Sequence, residues 1–176
     1  MAKRTFPVEY AILGLLSQGP LHGYALRKRV DSALSSFWTI ATSQIYSALH
    51  SMQNDDLVSA EVQPQEGRPP RNVYLITERG RKEFDRWCAS PVRHLRDMRV
   101  EFLAKLYFVR LLGDRSATSL IDDQMIFLKR LRSRVSHRKN LKTDDPMLAA
   151  LASRFRDHQI SAAIDWLAEC REHLAG

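Results

Sequence analysis

The sequence lacks the features on which secreted proteins, membrane proteins and most enzymes depend. Two cysteines in 176 residues are too few for a disulfide framework and predict a reducing compartment. No apolar run approaches the roughly 20 residues that a helix needs to cross a bilayer. The sequence contains no nucleophile elbow, no phosphate-binding glycine loop and no paired zinc-ligand spacing. We therefore expect a cytoplasmic protein that is not an enzyme, with no cofactor, no metal and no membrane partner.

The two cysteines do not change this expectation. Cys170 and His173 have the spacing of half a metal site, but the sequence offers no second half. Cys88 follows Trp87 and is expected to pack as a small hydrophobic residue. A redox-sensing thiol at Cys88 is the alternative, which labelling of the native protein would test.

Positive charge is what the sequence has in excess. The net charge is +7 and the isoelectric point is about 9.7, so a polyanionic partner is plausible. The excess is densest between residues 129 and 142, where no acid occurs. A solvated helix face is the favoured interpretation, and a surface that faces DNA, additional to the one described below, or an anionic effector site is the alternative. The seven cations of this basic run are Lys129, Arg130, Arg132, Arg134, Arg138, Lys139 and Lys142.

Residues 41–76 contain, in order, the elements of a winged helix-turn-helix. A helix at residues 41–54 is followed by a strand at 57–63, a basic tip at 67–71 and a second strand at 72–76. The tip, Gly-Arg-Pro-Pro-Arg, carries two guanidinium groups that could lie over phosphates or in the minor groove of DNA. The alternative is a soluble loop without a partner.

Further helices are predicted on both sides of this unit. The first, at residues 8–17, is apolar almost all round and is stopped by Gly19-Pro20. The second runs from about residue 22 to residue 37, and His22 is expected to cap or pack at its start. Thr77 is the expected N-cap of a fourth helix that reaches residue 88.

The helix at residues 41–54 has one apolar face and one face without carboxylates. Ile45, Leu49 and Met52 follow one another at helical spacing and predict the core side. The opposite face is small, neutral or donor-bearing, which suits insertion into a major groove, although a merely solvated face is the alternative. The residues predicted to contact DNA are Tyr24, Lys28, Thr42, Ser43, Gln44, Tyr46, Ser47, His50, Arg68 and Arg71.

Four segments of the N-terminal half occur together in one known family. They are ILGLL at residues 12–16, GPLHGY at 19–24, SQIYSAL at 43–49 and GRPPRNVYLIT at 67–77. Through them the chain, over residues 6–90, resembles the PadR family of bacterial transcriptional regulators. The resemblance implies a homodimeric DNA-binding regulator, with a winged helix at one end and helical dimerisation at the other.

The second half is similar to the longer branch of that family, which has a virulence-activator-like (AphA-like) helical C-terminal domain. PQEG at residues 64–67, Trp87 before Pro91, and EF-x-AKL at 101–106 carry this similarity. Repression is the family's commonest role, but this branch includes an activator. The resemblance implies neither the effector nor the target genes.

Residues 91–176 are expected to form a three-helix dimerisation domain, separate from a DNA-binding domain at residues 1–90. The predicted helices cover residues 97–112, 116 to about 141 and 146 to about 174. The middle helix has a heptad seam with Gln124 at one inward position. The last helix has two apolar stripes, which predicts that it is clamped between partners, the second being another subunit. The first stripe is Leu148, Leu151, Phe155, Ala162 and Trp166, and the second is Ile160, Ile164, Leu167 and Leu174.

The sequence thus predicts a mainly α (α+β) protein, an N-terminal winged helix-turn-helix with a two-stranded wing followed by helices. The favoured function is a homodimeric regulator of the PadR type, most often a repressor, that binds double-stranded operator DNA. A winged-helix protein-interaction module without sequence-specific DNA binding is the alternative. Relatives can respond to small aromatic effectors, although simple filling of the two cores is the favoured interpretation of this chain's aromatic residues. The candidate effector-binding residues are Trp38, Phe84, Trp87, Tyr107 and Phe108.

Overall fold

The computed structural model describes residues 7–65, 68–137 and 145–175. The chain forms two compact units. One contains the described residues up to Ser90 together with Arg99–Phe108, and the other contains Pro91–Met98 and the described residues from Val109 onward. The predicted boundary after residue 90 is therefore where the chain first passes between units, and the chain returns to the first unit for residues 99–108.

The first unit is a winged helix. Its helices are α1 (Pro7–Leu16), α2 (Gly23–Leu34), α3 (Thr42–Asn54) and α4 (Glu78–Ala89). Helix α1 is buried along residues 11–16 and contacts the other three, as its apolar surface requires.

The first unit also contains a three-stranded antiparallel sheet in the order β1-β3-β2. The strands are β1 (Leu21–His22), β2 (Val58–Gln65) and β3 (Arg68–Ile76). The predicted two-stranded wing is the β2–β3 hairpin, and β1 is an additional strand that the sequence did not reveal.

The prediction that Arg68–Arg71 forms a tip outside the strands is wrong, because strand β3 begins at Arg68. Strand β1 pairs only with Val73 and Tyr74, so the edge of β3 on that side is open where the two prolines stand. On the other side, the ladder with β2 shifts register between Gln63 and Gln65, opposite the prolines, so the strand tolerates the missing N–H groups at an irregular part of the ladder.

Two details of the helices differ from the prediction. Helix α2 ends at Leu34 rather than residue 37, because the carbonyl of Leu34 accepts from both Phe37 and Trp38 and closes a turn. The single helix predicted at residues 97–112 is also wrong. A 3₁₀ turn (Leu95–Asp97) and a π-helical segment (Met98–Phe102) precede helix α5 (Leu103–Arg110).

Residues 99–108 complete the core of the winged helix. Phe102 and Ala104 are buried, and the ring of Phe108 lies against Gly14 of α1. A Cβ atom at Gly14 would lie 2.6 Å from that ring, so only glycine permits this packing. Gly80 of α4 is equally constrained, because its Cβ would lie 2.1 Å from the carbonyl oxygen of Leu57.

The second unit contains the long helices α6 (Asp114–His137) and α7 (Pro146–Ala175). The heptad seam of α6 is confirmed over its first part, since Ala117, Ile121, Gln124 and Leu128 are buried, whereas Leu131, the next predicted seam residue, is half-buried. The amide of Gln124 bonds to both backbone polar groups of Val92, accepting from its N–H at 2.7 Å and donating to its carbonyl at 3.0 Å. Two ion pairs join the helices, Arg132 with Asp157 and Arg171 with Asp122. The predicted end of α6 near residue 141 and three cations of the basic run (Arg138, Lys139 and Lys142) lie outside the described residues.

The two apolar stripes of α7 have different surroundings. Ile160 and Leu167 of the second stripe are buried. In the first stripe, Leu148, Leu151 and Phe155 are 52–64% exposed in the single chain. The neighbouring Met147 is also exposed. One face of the helix is therefore covered within the subunit, and the other is open along its N-terminal half.

Candidate nucleic-acid interface

Helix α3 presents the polar face that its sequence predicts. Ile45, Leu49 and Met52 are buried against the core. On the other side the residues predicted to contact DNA are exposed, except Thr42, which is half-buried, and no residue of this helix is acidic. The exposed members are Ser43, Gln44, Tyr46, Ser47 and His50.

Gln44 has a second role at the start of α3. The N-cap residue is Ala41, which has no side-chain oxygen to accept a bond from the first turn. The Oε1 atom of Gln44 instead accepts a hydrogen bond from the backbone N–H of Ala41 at 3.1 Å. This is one half of a capping box, in which the third helical residue reaches back to the N-cap.

The start of α2 projects two predicted contacts. His22 caps this helix, as the sequence predicted, with Nδ1 accepting from the N–H of Ala25 at 3.2 Å. In the first turn, Tyr24 is 70% exposed, with its ring parallel to the His22 ring at a centroid distance of 6.5 Å. Lys28 is exposed one turn later. A tyrosine this exposed on a small domain is available to a partner.

A groove joins α2, α3 and the wing. It has a volume of about 240 Å³ and brings together three predicted contacts that are distant in sequence, Tyr24, Tyr46 and Arg71. Gly23 allows this approach, since a Cβ there would lie 3.0 Å from the hydroxyl of Tyr46. The lining residues are His22, Gly23, Tyr24, Tyr46, Arg71, Asn72 and Tyr74. Asn72 and Tyr74 could not be predicted here, because only the register of β3 turns them toward the helices.

On the wing, Arg71 is held by a neutral partner. Gln63 lies opposite it in the β2–β3 ladder, and its Oε1 accepts from Nε and Nη2 of Arg71 at 3.0 and 2.8 Å. Because the partner is an amide and not a carboxylate, the guanidinium is oriented but its charge is not neutralised. Arg68 lies in the same strand, and its side chain is outside the described part of the structure. Gln63 could have been found from the sequence only by knowing the strand register.

The same region matches known proteins. Residues 12–86, from α1 to α4, match the model of the Transcriptional regulator PadR-like family. The negative transcriptional regulator PadR of Bacillus subtilis is 31% identical over 118 residues, which are 67% of this chain and 65% of that protein. A probable transcriptional regulator of Mycobacterium tuberculosis is 41% identical over 83 residues, which are 47% of this chain and 44% of that protein. This chain belongs to the PadR-like family of transcriptional regulators.

The PadR-like chain thus spans less than two thirds of the length of both curated relatives. Among solved structures, Bacillus subtilis PadR in complex with operator DNA is similar with a TM-score of 0.48 and 24% identity, over 94% of this chain and 98% of that one. A protein of Streptococcus mutans is similar with a TM-score of 0.47 and 26% identity, over 96% of this chain and 98% of that one.

The aromatic residues predicted to bind an effector lie in or against the core of this PadR-like winged helix. Phe84 packs edge-on against Phe108 with ring centroids 5.5 Å apart, and Phe108 contacts Tyr107 in the same way at 5.1 Å. Tyr10, which the sequence did not single out, stacks on Trp87 at 4.7 Å. Trp38 is partly buried against the same core. The five predicted residues lie in or against one core, where ring contacts join Phe84 to Trp87 and Phe108, and Phe108 to Tyr107.

A buried charge adjoins this aromatic core of the PadR-like fold. Lys105 is fully buried; its Nζ donates to the carbonyl of Ser90 at 2.6 Å and pairs with Glu101 at 3.0 Å. The same Nζ lies 5.1 Å from the centre of the Trp87 ring, and Trp87 Nε1 donates to Glu101 at 3.2 Å. Burial lowers the pKa of Lys105, and Glu101 opposes that shift.

The Cys88 thiol of this PadR-like chain is free and partly buried. Burial raises the pKa of the Cys88 thiol to about 12, so the reactive thiolate is disfavoured at neutral pH.

Within residues 7–65, 68–137 and 145–175, no group of histidine, cysteine, aspartate or glutamate has the geometry of a metal site. Over the same residues, no helix has the length and apolar character needed to span a membrane.

Proposed function

We propose that this chain is a transcriptional regulator that inserts helix α3 into the major groove of double-stranded DNA. The observation that carries the proposal is the groove at which Tyr24, Tyr46 and Arg71 meet beside a helix without carboxylates. Hydroxyl groups and a guanidinium are donors that suit phosphate oxygens, and the exposed face of α3 offers short polar side chains to base edges.

The wing supplies the electrostatic part of this binding. Arg71 is oriented by Gln63 and keeps its full positive charge, so it can contact a phosphate without first breaking an ion pair. Such contacts strengthen binding to every DNA sequence and set the register of the protein, while α3 supplies the sequence preference. Arg68, Lys28 and Thr42 belong to the same proposed set.

We also propose that the protein binds as a homodimer through its C-terminal helices, the virulence-activator-like (AphA-like) domain of the resemblance. The open stripe on α7 supports this, because Leu148, Leu151 and Phe155 are exposed beside one another on the same helix. A dimer would place two α3 helices on half-sites about 34–36 Å apart, one turn of DNA. Repression is the direction favoured by the name of the Bacillus subtilis relative, a negative regulator.

DNA binding is tested by gel shifts on the DNA upstream of the chain's own gene, at several salt concentrations. Arg71→Ala should weaken binding to all sequences and lower the slope of log affinity against log salt by about 0.9. Arg79→Ala, an exposed arginine on α4 outside the groove, is the matched control and should leave the slope unchanged. Absence of any salt-dependent, sequence-selective shift would favour the alternative, a winged helix that binds only proteins.

Dimerisation is tested by sedimentation of Phe155→Asp. A carboxylate in the open stripe of α7 should give a monomer that has lost most of its affinity for operator DNA. Ser153→Asp adds the same charge to an exposed position on the other side of the helix and should remain dimeric. A dimeric Phe155→Asp variant would remove this stripe from the interface.

A small aromatic effector remains a further prediction for Trp38, Phe84, Trp87, Tyr107 and Phe108. Planar aromatic compounds should quench tryptophan fluorescence saturably and lower DNA affinity by a coupled factor. The cytoplasmic location follows from the same proposal, since a regulator of a bacterial chromosome acts there.

A further inference from the structure

One side chain on the proposed DNA face carries a hydrogen bond that limits what it can recognise. Gln44 is exposed, yet its Oε1 accepts from the backbone N–H of Ala41 at 3.1 Å. Only the oxygen of the amide can accept this bond, so the chemistry fixes which way the amide points. The Nε2 hydrogens therefore face away from the helix start, and Nε2 has no partner among the described residues.

The helix depends on this bond, so the oxygen is not readily released. Ala41 cannot cap α3, and Gln44 supplies the only side-chain cap bond at this helix start among the described residues. A glutamine that reads adenine uses both ends of its amide, with the oxygen accepting from N6 and the nitrogen donating to N7. To read adenine in this way, the Oε1 atom of Gln44 would have to share or break its hydrogen bond with the N–H of Ala41.

Recognition of guanine does not require the amide oxygen of Gln44. Its major-groove edge presents two adjacent acceptors, N7 and O6, and no donor. We propose that Gln44 acts as a donor only and selects guanine over adenine at one position of each half-site. This inference rests on the proposed insertion of α3 into the major groove and adds to it the base and the direction of the hydrogen bond.

The backbone at Ala41 offers a direct way to release the oxygen. Its φ of −66° and ψ of 144° are values that proline adopts. Ala41→Pro therefore removes the N–H that Gln44 caps while keeping the backbone conformation of the N-cap. With that donor gone, the amide of Gln44 is able to turn and read adenine through both of its ends.

The experiment is selection from a library of duplexes with a randomised central segment, using the full chain and three variants. Wild type should enrich guanine over adenine at one position by about tenfold. Gln44→Ala should lose that preference. Gln44→Glu keeps an oxygen for Ala41 but lacks the donor, so it should shift the preference to cytosine, whose N4 is a donor. Ala41→Pro should reduce the discrimination between guanine and adenine.

Replacing the selected guanine by 7-deazaguanine, which lacks the N7 acceptor, locates the contact. This change should weaken wild-type binding several-fold and leave Gln44→Ala unaffected. Thermal unfolding separates the role of Gln44 in capping α3 from its role in base recognition. Gln44→Glu should have the melting temperature of wild type, while that of Gln44→Ala should be lower.

The outcomes separate the two proposals. If wild type enriches no sequence, the proposed function fails. If wild type enriches a site but Gln44→Glu keeps the guanine preference, then Gln44 only caps the helix and the inference is overturned. A wild-type preference for adenine that depends on Gln44 would equally overturn it.

Discussion

Replacing Lys105 by alanine should destabilise the winged-helix unit by about 3 kcal/mol. The side chain is fully buried and its charge is matched by Glu101, 3.0 Å away, and by the carbonyl of Ser90. Alanine removes the cation and leaves the carboxylate and the carbonyl without this partner. It also removes the charge beside the ring of Trp87.

The magnitude follows from the burial of the two partners. Breaking a buried ion pair by removing one member costs about 3–5 kcal/mol, because the other charge stays desolvated. The side chain of Glu101 is 23% exposed and can recover some hydration, which places the cost at the lower end. With a urea m-value of about 2 kcal/mol/M, this corresponds to a midpoint about 1.5 M lower.

The assay is urea unfolding followed by tryptophan fluorescence. Lys82→Ala is the matched control, since Lys82 pairs with Glu78 at the same sequence spacing and a distance of 2.6 Å, but both side chains are more than two-thirds exposed. Exposed pairs contribute little, so this variant should stay within about 1 kcal/mol of wild type. The difference between the two alanine variants isolates the effect of burial.

A double substitution tests the reasoning further. Lys105→Met keeps most of the volume, and adding Glu101→Gln removes the orphaned charge. The double variant should lose less stability than the sum of the two single variants, by about 1–3 kcal/mol. Additive losses, or a Lys105→Ala variant as stable as Lys82→Ala, would refute the account of a coupled buried pair.

Three other perturbations have defined outcomes. Gln63→Ala should weaken DNA binding by less than Arg71→Ala and leave the salt slope unchanged, because the charge remains and only its orientation is lost. Cys88 should resist thiol reagents in the native protein at pH 8, because folding raises its pKa from 9.0 to about 12. The same shift means that its contribution to stability is present below pH 9 and is lost as the pH rises toward 12. Unfolding curves of Cys88→Ala at alkaline pH should not show this loss. Gln124→Ala should cost about 2–4 kcal/mol and accelerate hydrogen exchange at Val92, because both backbone groups of that buried residue lose their partner.

The sequence predicted the parts of the fold that obey a period. Ile45, Leu49 and Met52 recur at helical spacing, and all three are buried. The inward Gln124 of the α6 heptad seam was predicted for the same reason, although its partner, the backbone of residue 92, could not be. The alternating strands of the wing followed from a period of two, but the strand at residues 21–22 is too short to show one.

The sequence could not predict what depends on contacts between distant segments. Residues 97–112 look like one helix in the sequence. The bonds of Trp87 to Glu101 and of Lys105 to the carbonyl of Ser90 exist only once the fold brings the end of α4 beside them. The orientation of Arg71 by Gln63 likewise depends on the strand register. At the predicted DNA face, residue types were readable from the sequence, whereas the bond that occupies the oxygen of Gln44 was visible only in the structure.

The packing of Phe108 on Gly14 has a consequence for the synthesis of the protein. A winged helix encoded in the first 90 residues would be expected to fold as soon as they leave the ribosome, since domains fold as units in order of synthesis. Here α1 lacks its neighbour until residue 108 has emerged, so the nascent chain keeps an apolar surface around Gly14 and Phe84 open during that interval. The winged helix and residues 99–108 must therefore fold together. A DNA-binding domain transferred to another protein would have to include residues 99–108 to be stable.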